Sequence, residues 1–342
     1  MADSLPYYLN RALDVAAFAS FLTKSFTIYV VIVHTPKKMR HFANLVLMGI
    51  LWNFLGNVLY TFAHLIPMLP AECLRVDGLL SAYFTSEFQG HLFTKLVFFT
   101  VVNTAISILL CFQFRYMSVV HSSRIAKLHP AWGYLYCLLV YIVAGAIHVV
   151  LYDEWSIPVS DYPNPSQLPI GQRLICFKPH GVAKNAVLGC SVGIVVALVI
   201  GITIFSTLSF RHLNRKHPGI HENTRVLQKR LLRNLLYLTA VPVFIGGIPL
   251  VTAFITLYFN EMLEARMLCS VCMVILLNYG VIYSTTTLMV FKVYRDATKK
   301  IMIAAVRKIV DLKRRFGKRS VGVKPQEPEV LAKKSYIISP NA

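Results

Sequence analysis

Acidic side chains are scarce in this chain: 15 Asp and Glu stand against 35 Lys and Arg, and the long apolar runs are nearly free of them. Only 15% of residues are charged while 56% are hydrophobic. A soluble domain of this length cannot cover itself with so few charges, so that class is excluded. Catalytic sets are also missing. No Gly-rich phosphate loop and no nucleophile with its base can be read, so an enzyme is not expected, nor is a cofactor. Gly189-Cys190-Ser191-Val192-Gly193 matches a hydrolase elbow only in letters. It lies inside an apolar run with no strand before it, and reads instead as a small-residue packing seam.

Metal ligands in a usable pattern are lacking as well. Cys269-Ser270-Val271-Cys272 has no second ligand pair, and Pro218 and Gly219 separate His217 from His221, so no metal is expected. Asn-x-Ser/Thr acceptors are absent, because Pro165 blocks Asn164-Pro165-Ser166. A basic region before the first apolar run is absent too, and that run is expected to be a membrane span rather than a cleaved leader.

What the chain does have is seven apolar stretches, each long enough at about 20 residues to cross a hydrocarbon layer of ~30 Å as a helix. They run from Leu13 to Val33, Ala43 to Ile66, His91 to Phe114, Ala131 to Tyr152, Ala186 to Ser209, Asn234 to Tyr258 and Met267 to Phe291. The expected fold is an all-α membrane protein with a seven-helix bundle. Apart from Asp14, no acid falls within these stretches.

Lys and Arg are divided unevenly between the connections. Segments 34–42, 115–130, 210–233 and 292–342 hold 27 of the 35, while 1–12, 67–90, 153–185 and 259–266 hold 6. Basic connections stay in the cytoplasm, which predicts an exterior N-terminus over residues 1–12 and an interior tail. The net charge of +20 therefore points to anionic inner-leaflet lipid and an acidic partner surface, not to nucleic acid.

After the last span, Met302, Ala305, Val306, Ile309, Leu312 and Phe316 recur at helical spacing opposite Lys299, Lys300, Arg307, Lys308, Arg314 and Arg315. Residues 292–316 are expected to form an amphipathic helix in the inner headgroup layer, and 317–342 a disordered tail.

Several polar groups interrupt the spans. Lys24 lies near the middle of the first, where facing lipid would cost at least ~2.5 kcal/mol, so it should face the bundle. Its partner is left open among a carbonyl, an amide such as Asn53 or Asn57, water or an anionic ligand. Lys95, His91, Asn103, Ser107 and His148 add polar positions in the third and fourth spans. With Lys24 they are the candidate ligand-binding set, and the basic lining favours an acid. Lys95 reads first as an interfacial snorkeller and second as a ligand group. Pro242 and Pro249 flank Gly246-Gly247 in the sixth span, where each Pro removes a backbone donor, so a kink usable as a hinge is expected. Cys73 and Cys176 alone fall outside the spans, and either pair as a disulfide or stand free.

The third span ends Phe114-Arg115-Tyr116, which resembles the aromatic-Arg-Tyr ending of nematode serpentine chemoreceptors. His34-Thr35-Pro36-Lys37-Lys38-Met39 is similar to the Thr-Pro-x-x-Met of their Srh/Sri branch. Ser284-Thr285-Thr286-Thr287-Leu288 followed by Val293-Tyr294-Arg295 resembles the branch's Ser-Thr run before Pro-Tyr-Arg, with Val293 in place of Pro. Leu69-Pro70-Ala71 with Gly78 and Leu79 resembles its Pro-x-x-x-Gly pattern. The matches cover roughly residues 30 to 296. Gln113 and Phe114 stand where rhodopsin-like receptors place a carboxylate before the Arg, and Asn-Pro-x-x-Tyr is absent from the seventh span.

The resemblance implies a G-protein-coupled receptor for a small environmental molecule, at the plasma membrane of sensory neuron cilia. It implies that Arg115 and Tyr116, with the basic positions Arg230, Arg233 and Arg295, face a heterotrimeric G protein. An oligomer is compatible with the sequence. A transporter or a ligand-gated channel is the alternative; the first would need paired broken spans or buried carboxylates, and the second the reverse orientation.

Overall fold

The computed structural model describes residues 5–121, 127, 129–169, 173–215 and 222–320. Its helices are α1 (Leu5–His34), α2 (Arg40–Ala63), α3 (Glu87–Val120), α4 (Pro130–Trp155), α5 (Val182–Asn214), α6 (Glu222–Ala240), α7 (Ile248–Tyr258), α8 (Ala265–Val290) and α9 (Lys292–Ser320). A π-helical stretch, Val241–Gly247, joins α6 to α7. Counting α6, the π stretch and α7 as one, seven helices are long and apolar enough to cross a membrane. The chain is a multi-pass membrane protein.

Helix is the form that satisfies backbone polar groups without help from the surroundings. Side-chain hydroxyls are disposed of in the same way: Thr27, Thr61, Thr104, Ser107, Thr203, Thr239 and Thr287 each donate to the carbonyl four residues earlier. Among the spans α3 is the most buried and α4 the least.

Helices outrun the apolar stretches that announce them. The fourth helix continues to Trp155 and the third begins at Glu87, so Glu87, Asp153 and Glu154 lie on span helices, contrary to the expectation that Asp14 alone does. Helical hydrogen bonding continues past the hydrocarbon boundary, which apolar composition cannot reveal. The basic segment expected to loop before the sixth span is likewise helical from Glu222. The second span is as long as expected but begins and ends three residues earlier, running from Arg40 to Ala63. His64 turns into the left-handed region at φ 43° and ends α2, so that Leu65 and Ile66, read as helix from their hydrophobicity, are strand.

That strand belongs to a sheet the sequence did not disclose. β1 (Leu65–Pro67), β2 (Cys73–Val76), β3 (Ser156–Ile157) and β4 (Leu174–Phe177) make an antiparallel sheet in the order β1-β2-β4-β3. Leu74 lies opposite Ile175, and Cys73 opposite Cys176. Those two cysteines form the disulfide, with Cα atoms 4.0 Å apart. Beneath the sheet, Leu65, Ile66, Ile175 and Phe177 pack with Leu9 and Leu13 of α1, Val97 of α3, Tyr152 and Trp155 of α4 and Val187 of α5. Gly78, part of the motif after the second span, donates its N–H to the Ala63 carbonyl at 2.9 Å. A methyl group there would overlap the backbone of Phe62 and Ala63.

Residues to Arg295 form one compact unit and those from Asp296 a second. In the second, Met302, Ile303, Val306, Ile309, Val310 and Leu312 are exposed apolar side chains on a continuous helix. The helix reaches Ser320, beyond the expected end at 316; residues 321–342 of the expected disordered tail lie outside the described residues.

The sheet makes the disulfide testable. Non-reducing peptide mapping is expected to recover a Cys73–Cys176 cross-linked peptide. Cys73→Ser should lower the stability of purified protein by about 2–5 kcal/mol, read as a fall in melting temperature; an unchanged melting temperature would show that the bond is dispensable.

Candidate functional site

The six expected ligand residues fall in three places. Lys24 is fully buried between α1, α2 and α8, and its Nζ donates to the Asn53 carbonyl at 3.3 Å. Of the partners left open for it, the structure supplies a carbonyl. Gly280 of α8 makes this possible: a Cβ there would fall on Asn53 Oδ1 and on Lys24 Nζ. One turn toward the sheet on α2, Asn57 Nδ2 donates to Ser20 Oγ at 2.8 Å and to the Leu277 carbonyl at 2.9 Å, tying the same three helices. Asn53 Oδ1 and Ser284 Oγ are buried without a partner among the described residues.

Asn103 and Ser107 lie deeper along α3. Ser107 Oγ is 2.8 Å from Tyr141 Oη of α4, and Asn103, fully buried, has neither amide atom hydrogen-bonded among the described residues. An unmet buried amide is costly, so this is a place where a polar ligand atom or water would be gained cheaply.

His91, Lys95 and His148 do come together, around a residue that sequence reasoning missed. Tyr152 Oη lies 3.1 Å from His91 Nδ1, its ring centroid 5.5 Å from Lys95 Nζ and 6.4 Å from the His148 ring. Phe177 of β4 meets the edges of both His91 and Tyr152. Lys95 also pairs with Asp153, the acid carried in by the longer α4, so its charge is matched within the protein. About 18 Å of helix separates His91 from Asn103 at 1.5 Å per residue. The cluster at the sheet end is therefore distinct from the polar positions at mid-depth. A separate crevice of about 150 Å³ opens between α1 and α2, walled by Phe21, Phe54 and Phe62 with Ser20 and Asn57 at its base. It touches none of the expected ligand residues.

At the opposite, basic end, Arg115 Nη2 donates to the Gln228 carbonyl of α6 at 3.0 Å, and its Nε is buried without a partner among the described residues. Tyr116 packs on Phe205 of α5 at 5.6 Å. Arg230 and Arg233 are exposed on α6, and Arg295 Nη1 reaches the Met289 carbonyl at 3.4 Å. Two motif residues far apart in sequence meet here: Thr35 Oγ1 and Tyr294 Oη are 2.9 Å apart. Burial pushes the Tyr294 hydroxyl above its ordinary pKa, against the hydrogen bond with Thr35, so it stays a neutral partner. Spacing alone gave no sign of this pairing; only the family motifs marked the two positions.

Pro242, Gly246, Gly247 and Pro249 lie in or beside the π-helical stretch. Where a kink was expected, the helix changes its hydrogen-bond register, a form common at functional sites. Gly246 faces the Tyr279 ring of α8.

The family model described as serpentine type 7TM GPCR chemoreceptor Srh matches residues 4–304 of the chain. No curated protein matches it.

The close approach at Gly280 yields a direct check. Gly280→Ala is expected to cost about 1–3 kcal/mol through overpacking against Asn53 and Lys24, whereas Gly133→Ala, with nothing near the added methyl, should leave the melting temperature unchanged. Equal behaviour of the two variants would contradict the packing described for Lys24.

Proposed function

The chain belongs to the Srh family of serpentine seven-transmembrane chemoreceptors, known from nematodes, and we propose that it binds a small environmental molecule at the sheet end and activates a heterotrimeric G protein at the basic end. The single observation that carries this reading is the bond from Arg115 to the Gln228 carbonyl. A guanidinium offers several donors in a fixed fork and stays charged, so it can exchange one helix carbonyl for another. Held on α6, it keeps the basic ends of α3 and the sixth span together; released, it is free for the carbonyls of an inserted G-protein helix. Tyr116 beside it, and Arg230, Arg233 and Arg295 around it, supply the rest of the docking face.

The π-helical stretch with Pro242, Gly246, Gly247 and Pro249 is the pivot about which α6 swings. The ligand groups on this reading are His91, Lys95 and His148 beneath the sheet, with Asn103, Ser107 and Lys24 deeper. Since Lys95 pairs with Asp153, an acidic ligand must compete for it. We place the protein at the plasma membrane of sensory cilia, N-terminus outside, with α9 resting its apolar side chains on the anionic inner leaflet while Arg307 and Lys308 meet headgroups.

Expressed in cultured cells and screened with a chemical library for cAMP or calcium responses, the protein is expected to answer at least one compound. Arg115→Ala should remove that response at equal surface level. Full signalling by the variant would leave Arg115 no more than a charge at the membrane interface, and an active Lys95→Gln with unchanged selectivity would remove Lys95 from the ligand set.

A further inference from the structure

Outside the spans, one carboxyl is enclosed more completely than anything described so far requires. Glu72, between β1 and β2, is 2% exposed. Its Oε1 accepts from Lys184 Nζ of α5, while Oε2 is buried with no partner among the described residues. Its backbone is fixed from two other places: Glu72 N donates to the Tyr162 hydroxyl at 3.0 Å, and Phe177 N donates to the Glu72 carbonyl at 2.9 Å. Lys184, 4% exposed, also donates to the Pro179 carbonyl at 3.0 Å and lies 5.9 Å from the ring centroid of Tyr258. Lys184 and Tyr162 are the titratable groups that face the carboxyl, with Tyr258 behind Lys184. The next residue, Cys73, carries the disulfide to β4. One side chain thus joins the sheet to α5.

An ionised carboxylate in this setting loses water from both oxygens and regains a partner at one, whereas the neutral acid loses far less. Burial accordingly pushes the Glu72 carboxyl up to about 7, against the opposing hydrogen bond and charge of Lys184. Lifting the sheet from α5 returns the group to water and to its ordinary value of 4.5. The seated state therefore holds the proton more tightly than the lifted one. Its added stability is fully present below the lower value and is lost as pH rises through the upper one.

We propose that Glu72 is a proton-binding site that fastens the sheet to α5, so that acid on that face keeps the cover seated and lifting it releases a proton.

The disulfide provides the readout, because Cys73 and Cys176 are 2% and 0% exposed and a water-soluble reductant reaches them only when the sheet lifts. Full-length protein in lipid nanodiscs is treated with a phosphine across pH 5.5 to 8, and the rate is divided by that of oxidised glutathione at each pH. The corrected rate is expected to fall by at least about tenfold from pH 8 to pH 5.5, following the proton linkage. Glu72→Gln should be slow and flat with pH, and Lys184→Met should move the inflection to higher pH. A wild-type rate that is flat or rises with acid overturns the proposal, as does the same slope in Glu72→Gln. Should Glu72→Gln fail to fold, an unmoved inflection in Lys184→Met overturns it equally. No ligand or G protein enters the assay, so its outcome is separate from that of the receptor reading.

Discussion

A peptide group placed in hydrocarbon finds no water, and the architecture of the bundle follows from having to bond it within the protein. The seven spans are helices for that reason, and several of their hydroxyls, those of Thr61, Thr104 and Thr287 among them, turn back to their own helices' carbonyls. Among the described residues sheet appears at one end of the bundle, where its first strand takes up Leu65 and Ile66, the last two residues of the second apolar run. Lys24 obeys the same demand: too deep to reach water, it takes a carbonyl of α2 and is accommodated by the missing side chain of Gly280.

The two ends of the bundle solve different problems. At the sheet end, four short strands, a disulfide and the Glu72–Lys184 pair hold together the connections that follow α2 and α4. A buried pair of this kind adds little net stability, since desolvation offsets attraction. Its effect is to fix which segments touch. At the basic end side-chain hydrogen bonds tie one helix to another, among them Arg115 to Gln228, Thr35 to Tyr294 and Asn234 to the Val290 carbonyl.

The sequence made the spans legible because apolar length is a direct consequence of bilayer thickness. It also made the disulfide one of two open readings, through the placement of Cys73 and Cys176 outside the spans. It could not show the sheet: Leu65 and Ile66 are buried against β4 and the ends of the helices, and composition does not distinguish that from burial in a membrane. Nor could it show Asp153 meeting Lys95, Gln228 meeting Arg115 or Glu72 meeting Lys184, since these pairs are 58, 113 and 112 residues apart and depend on how helices are set side by side. The ligand set was legible only as a collection of polar residues in apolar surroundings. The structure gathers His91, Lys95 and His148 and leaves Lys24, Asn103 and Ser107 elsewhere. The π-helical stretch was visible as Pro and Gly, but its altered bonding was not.

All of these roles depend on which end of the bundle faces the cell exterior. The direct measurement is epitope staining of the full-length protein with one tag at the N-terminus and another at the C-terminus, before and after permeabilisation. The N-terminal tag is expected to stain intact cells and the C-terminal tag to appear only once the membrane is opened. Staining of the C-terminal tag on intact cells would put the basic face outside and contradict these roles.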